Sequence, residues 1–150
     1  MLLDKYDFEA NDTFDSFSFE SQGKNGTIKK RIDYRAFSRL PNGDPVYNLG
    51  FGDWTEETEL LDDTSISNNG DRDKVLATVA YTLISFNEKN GNIPVYARGV
   101  TPAKNRLYQM GINANLKEIK TMFDVYGSKD NQWVEFEPGC NYEAFLVIKK

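Results

Sequence analysis

The sequence predicts an α+β fold in which a mostly antiparallel, twisted sheet carries a layer of two to three helices. Three patterns indicate this class: alternating apolar residues in the first third of the chain, one long amphipathic segment in the middle, and short apolar runs near the end. With 150 residues, 39% of them hydrophobic, the chain can bury a sizeable core. No linker or repeat interrupts it, so residues 1–150 are expected to form a single α+β domain.

The first part of the chain predicts an antiparallel meander of three strands. Phe14–Ser21 alternates apolar and polar residues, and so does Thr27–Phe37 after a glycine-containing turn. The sequence Pro-Asn-Gly-Asp-Pro over 41–45 is typical of a turn, and Val46–Gly52 follows it as a third strand. Short turns between strands favour antiparallel neighbours.

A β-α-β crossover is predicted in the middle of the chain. Thr58–Leu61 has the character of a short strand, and Asp71–Asn90 carries a wide apolar stripe at helical spacing. Asn69 or Asp71 can cap the start of this helix. The apolar run Ile93–Val100 follows as a buried strand, so a strand before the helix and this strand are expected to pair in parallel.

The C-terminal third predicts further helices and three strands. Thr101 is a suitable N-cap for a second helix, which is expected to stop at Gly111. Asn115–Glu118 has capping-box spacing, which predicts a third, short helix. The three predicted strands are Met122–Tyr126, Trp133–Glu137 and Tyr142–Lys149. The last of them is apolar on both faces, as expected for a central strand.

Composition excludes several classes of function. The chain has no histidine, so a Ser-His-Asp triad, a Cys-His nucleophile and a histidine-containing zinc site are all excluded. The single cysteine, Cys140, cannot form an internal disulfide, and no membrane span or signal peptide is visible, so a cytoplasmic location is expected. A formal net charge of −5 disfavours nonspecific binding to nucleic acid or to an anionic membrane.

The charge is nevertheless unevenly distributed. Six basic residues and one acid lie between Lys24 and Arg39. Alternation places Lys29, Arg31 and Arg35 on one side of the second predicted strand. Two interpretations stay open: a solvated strand face, or an interaction face for an acidic partner or a phosphate.

The strongest candidate for a binding site is the junction between the short strand and the second helix. A strand that ends at Gly99 and a helix capped by Thr101 leave free N–H groups and the positive end of the helix dipole. Arg98, Lys104 and Arg106 can then hold an anion such as phosphate. The alternative is that Thr101 only caps the helix and the basic residues pair with acidic loops.

A second candidate is the loop before the long helix, where Asn69 and Gly70 precede the helix start. The loop lacks the glycine pattern of known phosphate-binding loops, and neighbouring carboxylates repel an anion, so a simple capped turn is the competing interpretation. Mg²⁺ is a further alternative, held by four carboxylates: Asp62, Asp63, Asp71 and Asp73. Their spacing matches no calcium loop, and no metal site is predicted.

Several segments resemble a family of uncharacterised proteins of about this length that is common in Bacteroidetes. They are Asp62–Asp63, Asn68–Asp71, Lys74–Val79, Gly99–Tyr108 and Asn141–Val147. The resemblance covers nearly the whole chain. It implies a family membership but no activity, because that family has none assigned.

A fainter resemblance is to the GCN5-related N-acetyltransferases, whose elements follow a similar order. Leu107–Ile112 is similar to their Leu-Tyr-x-x-x-Gly-Phe segment, although it is one residue shorter. Thr101 stands where they usually have Asn, and Asn69–Asp71 replaces their pyrophosphate loop. This resemblance implies acetyl-coenzyme A as cofactor and Tyr108 as the acid that protonates the departing thiolate.

Two hypotheses of function follow. The first is a ligand- or partner-binding module with an anion site at the start of the second helix. It would bind a phosphate-bearing small molecule or a protein partner, in a toxin–antitoxin or defence setting. The alternative is an acyl-coenzyme A-dependent N-acyltransferase. The absence of a recognisable pyrophosphate loop and of histidine favours the non-enzymatic module.

Overall fold

The computed structural model describes residues 4–55, 60–62 and 69–150. In these residues one sheet of nine strands is covered by two helices. The strands are β1 (Glu9–Ala10), β2 (Ser16–Gly23), β3 (Gly26–Arg39), β4 (Pro45–Thr55), β5 (Leu60–Asp62), β6 (Val95–Ala97), β7 (Phe123–Lys129), β8 (Gln132–Glu135) and β9 (Ala144–Lys149). The helices are α1 (Arg72–Asn90) and α2 (Pro102–Met122). Of the sequence predictions, Thr58, Asp63 and Asn68 lie outside the described residues.

The predicted N-terminal meander is confirmed. β2 pairs antiparallel with β3, and β3 with β4, so that Phe17, Ile32 and Phe51 lie side by side. These three side chains are buried, as the alternation requires, because one face of the sheet packs on the helices. β1 adds a short antiparallel strand beside β2, which the sequence pattern did not predict.

The predicted crossover is also confirmed, with a shorter second strand. β4 and β6, joined through α1, pair in parallel at Tyr47 with Val95 and at Asn48 with Tyr96. The strand predicted over residues 93–100 spans only Val95–Ala97. Beyond it the chain packs closely against α2: a Cβ added at Gly99 would lie 2.1 Å from the backbone nitrogen of Asn105.

The C-terminal strand β9 is central, as its apolar character on both faces predicted. It lies between β6 and β7 and pairs antiparallel with both, in the sheet order β1-β2-β3-β4-β6-β9-β7-β8. Ala144, Phe145 and Leu146 are all buried. β5 pairs with the C-terminal end of β4, next to the position of β6.

The prediction of a helix ending at Gly111 and a third helix over 115–118 is wrong, because α2 is one continuous helix of 21 residues. Gly111 faces α1, where an added Cβ would lie 3.1 Å from Leu76 Cδ2. Its small size therefore permits close helix packing and does not end the helix. The Asn115 side chain donates to the Gly111 carbonyl at 2.7 Å, a bond within the helix and not a cap.

Both helices pack on the same face of the sheet. Phe86 of α1 stacks on Tyr34 of β3, with ring centroids 4.5 Å apart. Tyr108 and Ile119 of α2 belong to the same core cluster. Within the described part of the chain, neither helix has the length and apolar character needed to cross a membrane.

Candidate functional site

An open cleft of about 950 Å³ lies at the start of α2. One wall is formed by the β6–α2 junction and the outer side of α2, and the other by the loop over residues 139–143. The lining residues that carry charged or polar side chains are Arg98, Thr101, Asn105, Arg106, Gln109, Asn113, Asn141, Tyr142 and Glu143. Of the residues that the sequence predicted for an anion site, Arg98, Gly99, Thr101 and Arg106 line this cleft.

The start of α2 is built as its sequence indicates. Thr101 is the N-cap in an extended conformation, and its hydroxyl accepts a hydrogen bond from the Lys104 N–H at 3.1 Å. Pro102, in the first turn, has no N–H to leave unpaired. Since no acidic residue lies in the first turn, the positive end of the helix dipole has no carboxylate beside it on the helix.

Two side-chain amides of α2 hold the opposite wall in place. Asn105 accepts from the Gly99 N–H at 3.0 Å and donates to the Tyr142 carbonyl at 2.9 Å. Gln109 donates to the Cys140 carbonyl and accepts from the Tyr142 N–H at 3.3 Å. Each amide thus uses both its donor and its acceptor on backbone groups. This arrangement fixes the cleft before any ligand binds.

The charges of the cleft are two arginines and one carboxylate. Arg98 and Arg106 are exposed, and neither side chain forms an ion pair or hydrogen bond with another described residue. Glu143 lines the same cleft and is also exposed. The positive charge of the arginines is therefore available to a ligand, and Glu143 opposes part of it.

Two predicted site residues do not reach the cleft. Lys104 is only 2% exposed, and its Nζ lies 4.4 Å from the centre of the Phe51 ring. Tyr108 is buried in the core, where it lines a small apolar cavity between the helices and the sheet. Both predictions fail because positions 104 and 108 share the inner side of α2, whereas 102, 106 and 109 share the outer side.

Tyr142 lines the cleft, but its side chain packs against the sheet and supplies no charge to the cleft. Its ring packs on Gly127, where an added Cβ would lie 2.3 Å from the ring, and its hydroxyl accepts from the Glu137 N–H at 2.9 Å. Burial raises the pKa of Tyr142 above its usual value. The ring therefore stays neutral at neutral pH. The neighbouring Cys140 is half-buried.

The second predicted loop serves structure. Asn69 is buried, and its side-chain N–H groups donate to Ser21 Oγ and to the Gly26 carbonyl, both at 3.0 Å. Its Oδ1 accepts from the Asn25 N–H at 2.7 Å. Every polar atom of this side-chain amide is therefore used to hold the β2–β3 turn. No group of three or more metal-binding side chains occurs in the part of the chain that the structure describes.

The predicted interaction face of β3 is less positive than its sequence indicates. Arg31 Nε lies 2.9 Å from the Asp33 carboxylate, and the Arg31 guanidinium stacks over the ring of Trp54 at 4.2 Å. Lys29 is half-buried. Only Arg35 is well exposed, with 72% of its side chain accessible and Asp33 at 3.7 Å.

Three residues of the cleft were not predicted from the sequence: Asn105, Gln109 and Glu143. Asn105 and Gln109 lie four residues apart, a spacing that places both on one side of α2 and was available as a signal. Nothing in the sequence pattern placed Glu143 beside them, because it lies more than thirty residues further along the chain.

The fold and the site define an α+β protein with a preformed polar cleft at a strand–helix junction. The chain belongs to DUF6934, a family of unknown function, whose model matches residues 2–150. This agrees with the resemblance to a family without an assigned activity. No curated protein and no solved structure matches the chain.

Proposed function

We propose that this protein is a ligand-binding module whose cleft holds the phosphate group of a small molecule through Arg98 and Arg106. The observation that carries this proposal is that both arginines line one cleft and neither has a carboxylate partner among the described residues. Exposed arginines on a protein of net charge −5 have many acidic residues available to them. Two arginines that line a single cleft and have no partner among the described residues favour an external anion.

Chemistry and rigidity support the same proposal. A guanidinium can give two parallel hydrogen bonds to a phosphate, and such charge-assisted bonds are roughly twice as strong as neutral ones. The N-terminus of a 21-residue helix adds a favourable field close to Thr101. Because Asn105 and Gln109 already fix both walls, binding orders little beyond the arginine side chains. Glu143 limits how much negative charge the cleft accepts.

The experiment is calorimetric titration of the protein with inorganic pyrophosphate at low salt. Arg98→Gln/Arg106→Gln should lower the affinity at least tenfold, because two charge-assisted contacts are lost. The matched control is Arg72→Gln/Lys117→Gln, which removes the same charge from exposed positions outside the cleft. Equal loss in both double variants would show that net charge, and not the cleft, determines binding.

Partner binding through β3 stays a prediction that depends chiefly on Arg35. Arg31 already contacts Asp33 and Trp54, so its charge is less available to a partner. Arg35→Glu should weaken capture of an acidic partner. Arg39→Glu, four residues further along at the end of β3, should not weaken it. No observation on the described residues favours a toxin–antitoxin or defence setting over another.

The acyltransferase alternative receives less support from the geometry. The order of elements agrees with it, since antiparallel strands, a long helix, a strand and a second helix follow one another. However, Tyr108 is buried in the core and does not line the cleft, so it is not placed to protonate a thiolate there. A thermal shift with acetyl-coenzyme A that exceeds the shift with pyrophosphate would favour this alternative.

A further inference from the structure

The cleft at the start of α2 holds charges of both signs. Arg98 and Arg106 lie on the wall formed by the β6–α2 junction and α2, and Glu143 lies on the opposite wall. All three residues are exposed. No ion pair or hydrogen bond joins the Glu143 carboxylate to either arginine, or to any other residue that the structure describes. The cleft therefore presents an unpaired carboxylate as well as two unpaired cations.

One hydrogen-bond network brings these charges together. The Asn105 side-chain amide accepts from the Gly99 N–H at 3.0 Å and donates to the Tyr142 carbonyl at 2.9 Å. Each of these three residues has one of the charged residues as its neighbour in the chain: Arg98, Arg106 and Glu143. The backbone of Glu143 is held as well, because its N–H donates to the Ser128 carbonyl of β7 at 2.8 Å. The three charged side chains therefore start from fixed backbone positions around one cleft.

The balance of charge in the cleft indicates the chemical class of the ligand. A phosphate monoester carries about 1.5 to 2 negative charges at pH 7, which the two arginines match. Glu143 disfavours a ligand that is only anionic, because like charges in one binding site repel each other. An ammonium group on the ligand replaces this repulsion with a charge-assisted hydrogen bond to the carboxylate. The cleft therefore favours a ligand that carries both charges.

From this arrangement we infer that the ligand of the cleft is a phosphate monoester that also carries a primary amine. Its phosphate binds at Arg98 and Arg106, and its ammonium group binds at Glu143. This inference rests on the proposed function and adds the cationic end of the ligand. Val100 lines the same cleft and is 58% exposed, so the cleft also offers an apolar surface to the carbon chain that joins the two charged groups.

The experiment is calorimetric titration at low salt with two matched series of ligands. One series consists of straight-chain aminoalkyl phosphates with a terminal amine, beginning with phosphoethanolamine, and the other of alkyl phosphates with the same chain lengths. The two members of each pair differ only in the amine. The tightest aminoalkyl phosphate should bind about fivefold more tightly than its alkyl counterpart, which is the upper range for an ion pair that water reaches.

Glu143→Gln should change the affinities of the two series in opposite directions. The variant should lose the preference for the aminoalkyl phosphate, because the ammonium group no longer meets a carboxylate. It should also bind the alkyl phosphate more tightly than the original protein does, because a negative charge has left the cleft. The matched control is Glu88→Gln on α1, which removes the same charge from an exposed position outside the cleft and should keep the preference. Circular dichroism melts confirm that each variant is folded.

The outcomes separate this inference from the proposed function. Equal affinities for the two series, or a preference that survives in Glu143→Gln, would overturn the inference and leave the anion cleft standing. Sedimentation of the protein with phosphatidylethanolamine vesicles, without binding of the free monoesters, would also overturn it, because the amine and the phosphate would then belong to a lipid headgroup. Absence of binding by pyrophosphate and by both series would overturn the inference together with the proposed function.

Discussion

The side chain of Asn105 joins α2 to the C-terminal loop by donating to the carbonyl oxygen of Tyr142 at 2.9 Å. The same amide accepts from the Gly99 N–H at 3.0 Å. One residue therefore connects three segments: the end of β6, the first turn of α2 and the loop before β9. These three segments form the cleft, so the two hydrogen bonds of the Asn105 side chain help to fix its shape.

Replacing Asn105 tests this dependence. Asn105→Ala leaves the Gly99 N–H and the Tyr142 carbonyl without their partner, and the unfolding free energy should fall by about 1–3 kcal/mol. Pyrophosphate affinity should fall with it, because the walls are no longer held. Urea denaturation measures the first effect and calorimetry the second. Asn113→Ala, at an exposed position on the same helix, should change stability by less than about 0.5 kcal/mol.

Gly99 should tolerate no side chain. A Cβ there would lie 2.1 Å from the Asn105 backbone nitrogen, and the backbone of a helix cannot shift without disrupting its packing. Gly99→Ala should therefore lower the unfolding free energy by about 3 kcal/mol or more. Gly111→Ala is the matched comparison. A Cβ at Gly111 would lie 3.1 Å from the flexible side chain of Leu76, which can adjust. Alanine also favours the helical conformation over glycine by up to about 1 kcal/mol. Thermal denaturation that ranks the two variants in the opposite order would contradict this packing.

Tyr34 should make stability sensitive to alkaline pH. Burial raises the pKa of its hydroxyl well above the usual value near 10, and the hydroxyl lies 2.9 Å from Thr82 Oγ1. Above pH 10 the unfolded chain releases this proton and the folded protein retains it, so stability falls by about 1.4 kcal/mol per pH unit for this one group. Tyr34→Phe should remove that part of the slope in urea titrations between pH 10 and 11. An unchanged slope would show that Tyr34 does not hold the proton.

Tyr6 should hold the N-terminal segment on α1. Its hydroxyl donates to the Asp71 carboxylate at 2.5 Å, and its backbone N–H donates to Thr78 Oγ1 at 2.9 Å. Burial, followed by the bond to Asp71, raises the pKa of Tyr6. Tyr6→Phe should increase amide hydrogen exchange over residues 5–8 without changing exchange in β9. Exchange that rises equally in both segments would point to global destabilisation.

The sequence predicted most of the fold because alternation and helical periodicity report directly which side of an element is buried. The alternation that includes Phe17 and Ile32 predicted the buried face of the meander. The apolar stripe of α1 predicted the helix of the crossover. Two of the errors illustrate the physical causes. Gly111 resembles a helix terminator, but its lack of a side chain permits close contact with Leu76. Lys104 lies near the helix start in sequence, but its angular position on α2 points it at Phe51.

The candidate site could be predicted only in part. Arg98, Thr101 and Arg106 are close in sequence, so the strand–helix junction indicated them. The opposite wall comes from a loop over residues 139–143, which follows β7 and β8 along the chain and precedes β9. Long-range contacts of this kind leave no periodic signal in a single sequence.

An amide-resolved NMR titration of the isotope-labelled protein with pyrophosphate tests phosphate binding at the cleft most directly. We expect saturable shifts at Arg98, Gly99, Thr101 and Arg106, and little change at Asn69 and Gly70 before α1. Shifts confined to the α1 start, or no saturable shift at the α2 start, would contradict the claim that the Arg98/Arg106 cleft binds phosphate.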